Sequence, residues 1–133
     1  MIVKAKLSNL RISARKVRLV ADMIRGKSTD KAVAILNFTT KRAAKPMLKL
    51  LHSAMANAKN NLKLDPATLF IEKIEVNDGQ KYKRMMPRAR GQGYEIQKKT
   101  SHIIIVLNEL AKPKVKTEKK VKPSKKLNQK HES

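Results

Sequence analysis

The sequence predicts a small base of mixed helices and strands that carries one long, basic β-hairpin. Three observations point there. Two apolar runs with strand character, Leu69 to Val76 and Ile103 to Leu107, flank the stretch from Val76 to Thr100, whose scattered apolar residues cannot build a core of their own. Lys81, Lys83, Arg84, Arg88, Arg90, Lys98 and Lys99 crowd that stretch. The rest of the chain, up to about residue 110, shows helical and strand periodicities in turn, and a length of 133 residues supports one domain. The two flanking runs continue into the arms of a single hairpin, each arm reaching roughly 30 Å at about 3.3 Å per residue. An isolated two-stranded hairpin is marginal in water. A cationic arm of this length therefore calls for a polyanionic partner, or stays disordered until it meets one.

Each element has its own signal. Val3, Ala5 and Leu7 alternate with Lys4, Lys6 and Ser8, the period of a half-buried strand. Ser13 is a fitting N-cap for a helix whose stripe is Val17, Val20, Ala21 and Ile24, spaced i, i+3, i+4, i+7. Leu19 and Met23 lie off that stripe, either against a second element or exposed, and Gly26 suits the C′ position. Ser28 or Thr29 can cap a short second helix with Ala32, Ile35 and Leu36 inward. A third, longest helix opens after Thr39-Thr40 and runs to about Asn61, with Ala44, Met47, Leu48, Leu51, Met55, Ala58 and Leu62 as its stripe. Pro46 is tolerable only in its first turn, which moves the start toward Ala43. Asp65-Pro66 breaks the helix. Phe70, Ile74 and Val76 then alternate with Ile71, Lys73 and Glu75 as a strand with one buried face. The β-branched run Ile103 to Leu107 belongs in the middle of the sheet. From Ala111 to Ser133 the chain is Lys-rich with Pro113 and Pro123 and almost nothing apolar, so it is expected to be a basic tail, disordered alone.

The formal charge is +22. Self-repulsion at that charge works against a compact state unless a partner's opposite charge matches it. Nucleic acid is the commonest such partner and an anionic membrane surface the second. The absence of Cys excludes a disulfide framework and thiolate metal sites. Met1-Ile2-Val3 runs straight into Lys4 and Lys6, without the apolar region of a signal peptide, and no apolar run is long enough to span a bilayer. No nucleophile, base and orienting group occur together, Gly91-Gln92-Gly93 lacks the spacing of a phosphate-cradling loop, and His52 and His102 lack metal-ligand spacing. The expectation is a chain that is not an enzyme and needs no metal or other cofactor.

Arg11 to Lys27 (Arg-Ile-Ser-Ala-Arg-Lys-Val-Arg-Leu-Val-Ala-Asp-Met-Ile-Arg-Gly-Lys) closely resembles the first helix of the universal large-subunit ribosomal protein twenty-two family, in its bacterial or organellar form. Ser53 to Ala58 resembles that family's long-helix motif, Lys83 to Gly91 its hairpin tip, and Lys99 to Ile103 the start of its last strand. The resemblance covers residues 3 to 108, with the motifs in the family's order. It implies an α+β fold, three helices packed on a three-stranded antiparallel sheet with a long protruding hairpin, so that 1–110 forms the rRNA-binding domain, hairpin about 77–100 included, and 111–133 a tail. It also implies a structural constituent of the large ribosomal subunit, cytoplasmic, seated on ribosomal RNA among neighbouring ribosomal proteins. In that family the hairpin tip lines the nascent-peptide exit tunnel opposite a loop of ribosomal protein four. The family usually continues past Gly91 with Arg-Ala, where this chain has Gln92-Gly93, and the tail after Leu110 lies outside the common pattern.

On this reading Arg84, Arg88 and Arg90 make specific RNA contacts at the tip, because a guanidinium forks to phosphate and stacks on bases. Lys81, Lys83, Lys98 and Lys99 neutralise phosphate diffusely. Arg11, Arg15, Lys16, Arg18, Arg25 and Lys27 on the first helix, with Lys45 and Lys49 on the long helix, complete the expected RNA-binding set. Met85, Met86, Pro87, Arg88, Ala89, Arg90 and Gly91 form the tip that the resemblance places in the tunnel wall, facing the nascent chain; packing of Met85, Met86 and Pro87 on bases or protein neighbours is an equal alternative. Gly91 and Gly93 are expected to supply positive φ or close backbone approach. Tyr82 and Tyr94 either stack on bases or pack across the hairpin. His102 makes a structural hydrogen bond or an RNA contact. A free-standing nucleic-acid chaperone and a cationic membrane binder remain as readings of another class.

Overall fold

A computed structural model describes residues 2–109. The Lys-rich tail and the domain boundary near residue 110 lie outside the described residues. In chain order the elements are strand β1 (Ile2–Leu10), helices α1 (Ala14–Ile24), α2 (Thr29–Phe38) and α3 (Ala44–Leu62), and strands β2 (Leu69–Pro87) and β3 (Gly93–Glu109), with single 3₁₀ turns at Pro66–Thr68 and Ala89–Gly91. The sheet is antiparallel in the order β1-β3-β2. The architecture is the expected α+β one, three helices on a three-stranded sheet with β2 and β3 prolonged into a hairpin.

The Ile103 to Leu107 run takes the central strand because only there is it covered on both sides by neighbouring backbone. Ile103, Ile105 and Leu107 are completely buried. They meet Val3 and Ala5 of β1 and the inward residues of all three helices in one core cluster. On α1 the buried residues are Ala14, Val17, Val20, Ala21 and Ile24, and Leu19 and Met23 prove exposed. Gly26 takes a left-handed φ of 72°, which lets the chain leave α1 and pair back: its N–H donates to the Ile71 carbonyl, and the Ile71 N–H donates to the Lys27 carbonyl.

Several sequence expectations are corrected here. Ser13 and Ser28 do hold the N-cap positions of α1 and α2, but neither makes a side-chain cap bond. Thr29 instead lies buried at the start of α2 and its hydroxyl donates to the carbonyls of Pro66 (2.8 Å) and Leu69 (3.3 Å). The long helix begins at Ala44, which keeps Pro46 inside the first turn as its missing N–H requires. Its buried line is Ala44, Met47, Leu50, Leu51, Ala54 and Ala58; Leu48 and Met55 are only partly covered and Leu62 is exposed. Small residues at 54 and 58 let the helix approach its neighbours closely, which centres the line there rather than on the largest side chains. The helix ends before Asp65-Pro66, with Lys63 in the left-handed region at φ 53°. On β2 the buried residues are Leu69, Ile71, Ile74 and Val76, and Phe70 is only half-buried. A bulge between Ile71 and Lys73 explains the change of parity, since one extra residue turns every later side chain to the opposite face.

Candidate nucleic-acid interface

Beyond the base the hairpin continues from the pair Lys81↔Lys99 to the pair Pro87↔Gly93. No residue from 81 to 99 is buried. The ladder and a few surface contacts hold these arms: Lys83 Nζ lies 3.3 Å from Glu95, and the Arg88 guanidinium stands 5.8 Å from the Tyr94 ring centroid. Lys81 and Lys99 sit directly opposite each other, which costs stability unless an anion lies between or beside them. Alternation puts Tyr82, Arg84 and Met86 on one face with Lys98, Ile96 and Tyr94. The opposite face carries Lys81, Lys83 and Met85 with Lys99, Gln97 and Glu95.

The root of the arm is tightly made. A second bulge falls between Asp78 and Lys81, and the Thr100 hydroxyl donates to the Gln80 carbonyl at 2.8 Å. A Cβ on Gly79 would lie 2.5 Å from that hydroxyl oxygen, so the approach admits only glycine without adjustment. His102 serves structurally: its Nδ1 accepts the Asn9 N–H at 3.1 Å, where Asn9 has a φ of 58°. At the tip the Arg88 N–H donates to the Gln92 carbonyl at 2.8 Å, and Arg90 and Gly91 turn the chain with φ of 59° and 70°. Gly93, by contrast, has no left-handed φ; a Cβ there would come within 2.7 Å of the Met85 methyl carbon.

Between the hairpin root and the base runs a groove of about 780 Å³. One wall is Arg11, Ile12, Ser13 and Lys16, from the end of β1 into α1, with Arg42 from the α2–α3 connection. The other is Tyr82, Arg84 and Gln97 to Thr100. No carboxylate lines it. Arg11, Lys16, Arg84, Lys98 and Lys99, expected from the sequence at separate places, are thus brought together. Arg42 was left out of that expected set. Its charge is legible in the sequence, but nothing local could show that the α2–α3 connection faces the hairpin. A second, shallower concavity at the tip is lined by Arg88, Ala89, Arg90, Gln92 and Tyr94. Met85 is 73% exposed beside it.

Arg18 and Arg25 stand elsewhere. Arg18 donates to the Val76 carbonyl at 3.1 Å and has its guanidinium 3.8 Å from Asp78; Arg25 donates to the Ile74 carbonyl at 3.4 Å and pairs with Asp22 at 2.6 Å. β2 is an edge strand, and these guanidinium groups occupy its outward carbonyls, which would otherwise invite another strand. Each side chain keeps about half its surface, so a phosphate can still reach it. Arg15, Lys27, Lys45 and Lys49 are exposed on the helical side and line neither concavity. Among the described residues, no group of three or more His, Asp or Glu side chains could hold a metal, and no helix is long and apolar enough to cross a membrane.

The chain matches the family described as Ribosomal protein L22p/L17e over residues 5–108. It belongs to that family. It is accordingly a ribosomal protein and not an enzyme. Its relatives include the large ribosomal subunit protein uL22 of Mycoplasma capricolum, 53% identical over 109 residues, which cover 82% of this chain and 98% of that protein. The uL22 of Onion yellows phytoplasma is 52% identical over 104 residues, 78% of this chain and 81% of its own length. That of Pediococcus pentosaceus is 50% identical over 106 residues, covering 80% and 90%. The matched span contains the hairpin and both walls of the groove.

Proposed function

We propose that this chain is a structural constituent of the large ribosomal subunit in the cytoplasm, where it binds ribosomal RNA, supports subunit assembly and sets its hairpin tip in the wall of the nascent-peptide exit tunnel. The observation that carries the reading is an arm without a single buried residue that concentrates Lys81, Lys83, Arg84, Arg88, Arg90, Lys98 and Lys99 against the single carboxylate of Glu95. Such an arm gains its stability from phosphate. Counterion release supplies the affinity, and arginine geometry adds the local fit. Arg15, Lys27, Lys45 and Lys49, and the free faces of Arg18 and Arg25, extend the phosphate-neutralising surface over the base. At the far end, Met85 to Gly91 present a small apolar and cationic knob suited to a wall along which a nascent chain passes, with ribosomal protein four across the lumen and other large-subunit proteins around the base.

Two experiments test this. Sucrose-gradient sedimentation of lysate at moderate and then high salt should find the chain stoichiometric in the large-subunit peak and resistant to the wash. Free protein at the top, or salt-labile spread over all RNA fractions, overturns the reading in favour of a generic polyanion binder. A photo-crosslinker at Met85, in ribosomes stalled on a long nascent peptide, should capture that peptide; capture of rRNA alone overturns the tunnel-wall role and leaves the ribosomal one standing.

A further inference from the structure

The groove at the hairpin root is the deeper of two cationic concavities, and it sets Tyr82 among cations from both the hairpin and the base. We propose that it is a binding site for an unpaired stretch of RNA, one or two nucleotides long, whose base stacks on Tyr82. The inference rests on the RNA-binding reading above and names the form of RNA that this site takes.

Size argues first. A concavity of about 780 Å³ falls in the range that encloses a ligand of a few tens of heavy atoms. It accommodates one or two nucleotides, and stacking on a wall side chain requires a base that is not stacked within a duplex. The chemistry of the walls argues second. Arg11, Lys16 and Arg42 line one side, and on the other Arg84 and Lys98 share the hairpin face of Tyr82, with no carboxylate among the lining residues. Phosphates on either side of an inserted base thus meet a cation on each wall. Tyr82 argues third. It is 39% exposed, and its hairpin partner is Lys98 rather than an apolar or aromatic residue. Part of its ring is therefore open to the groove, and Ile96 on the same face covers another part. Tyr94, 60% exposed, lies at the tip outside this groove, with the Arg88 guanidinium 5.8 Å from its ring centroid. Recognition of unstacked bases on aromatic rings between phosphate-binding cations is the general means by which proteins read single-stranded RNA, and a Tyr so used is sequence-tolerant.

The chain has two Tyr and no Trp, so the site reports on itself. In the full chain carrying Tyr94→Phe, Tyr82 is the only tyrosine and Tyr94 is the only one in the chain carrying Tyr82→Phe; neither exchange touches a buried residue. Each is titrated with a single-stranded hexanucleotide and with a duplex of the same sequence at matched phosphate, following tyrosine fluorescence and, with labelled RNA, anisotropy. The proposal expects saturable quenching of Tyr82 by the single strand, with weaker quenching by the duplex and by either ligand at Tyr94. It also expects Tyr82→Ala to lower single-strand affinity roughly tenfold, in line with stacking losses per base. Arg42→Glu should lower it more than the same reversal at Lys31, an exposed residue of α2 outside the groove. Salt-dependent binding without Tyr82 quenching, or equal response to duplex and single strand, overturns the groove site while leaving the general RNA reading intact. Loss of all RNA binding by the parent chain would overturn both.

Discussion

Replacing residues 82–98 with Asn-Gly joins Lys81 to Lys99, which already face each other, through the turn type that suits a two-residue hairpin loop. The exchange removes Lys83, Arg84, Arg88, Arg90 and Lys98 together with Glu95. Every deleted residue is exposed, and the most covered of the large apolar ones, Tyr82, Met86 and Ile96, still show 39% of their surface each. If the arm contributes no more than an ordinary surface change, the base loses about 0.5 kcal/mol or less. For a base of this size that is a shift in melting temperature of about 2–4 °C. RNA binding should respond far more. Each phosphate contact contributes about 0.7 to 0.9 to the slope of log affinity against log salt. Loss of the five cations, or of four if Lys83 stays with Glu95, should flatten that slope by about 3 to 4.5. Between 50 and 200 mM salt the intact chain should then lose roughly a hundredfold more affinity than the variant. Calorimetric melts and filter binding to large-subunit rRNA at several salt concentrations measure the two effects. A drop in melting temperature beyond about 8 °C would show that the arm holds the base together, and an unchanged salt slope would show that it meets no phosphate.

Other outcomes are specific to single groups. Thr29→Val removes the donor shared by the Pro66 and Leu69 carbonyls at nearly constant volume, and should cost about 1 kcal/mol in urea unfolding; no change would mean water replaces the hydroxyl. The Ser101 hydroxyl is buried and finds no partner among the described residues, so Ser101→Ala should be neutral or raise the urea midpoint. Gly79→Ala should destabilise the base by about 1–2 kcal/mol through displacement of the Thr100 hydroxyl, and Thr100→Ala in the same chain should relieve part of that loss, a coupling that a double-mutant cycle reads directly. The Lys73 ammonium 2.6 Å from Glu75, by hydrogen bond and then by charge, holds the Glu75 carboxyl below its ordinary value. Any contribution of that lowered pKa to stability is present above the unfolded pKa and is lost as pH falls through the folded one. Lys73→Met should therefore move the Glu75 titration upward when followed by NMR; an unmoved titration would show that the pair does not persist in solution.

What the sequence determined by itself was local. The α1 stripe of Val17, Val20, Ala21 and Ile24, the turn at Gly26, the limit that Pro46 sets on the start of α3 and the central place of Ile103 to Leu107 all follow from backbone period and single-residue sterics, and the structure bears them out. The basic character of the hairpin was equally legible, because charge belongs to the residue wherever it is placed. Tertiary structure alone decided which atoms those charges meet. Arg18 and Arg25 looked identical to Arg11 and Lys16 along the chain, yet the first two turn to carbonyls of β2 while the others line the groove with Arg42 and Lys98. The bulge at Ile71 to Lys73 was hidden for the same reason: it is a property of the pairing between β2 and β3, and neither strand read alone contains it. Period and propensity act over a few neighbouring residues, whereas a groove wall or a strand register is set by segments far apart in sequence that only the packed core brings within reach.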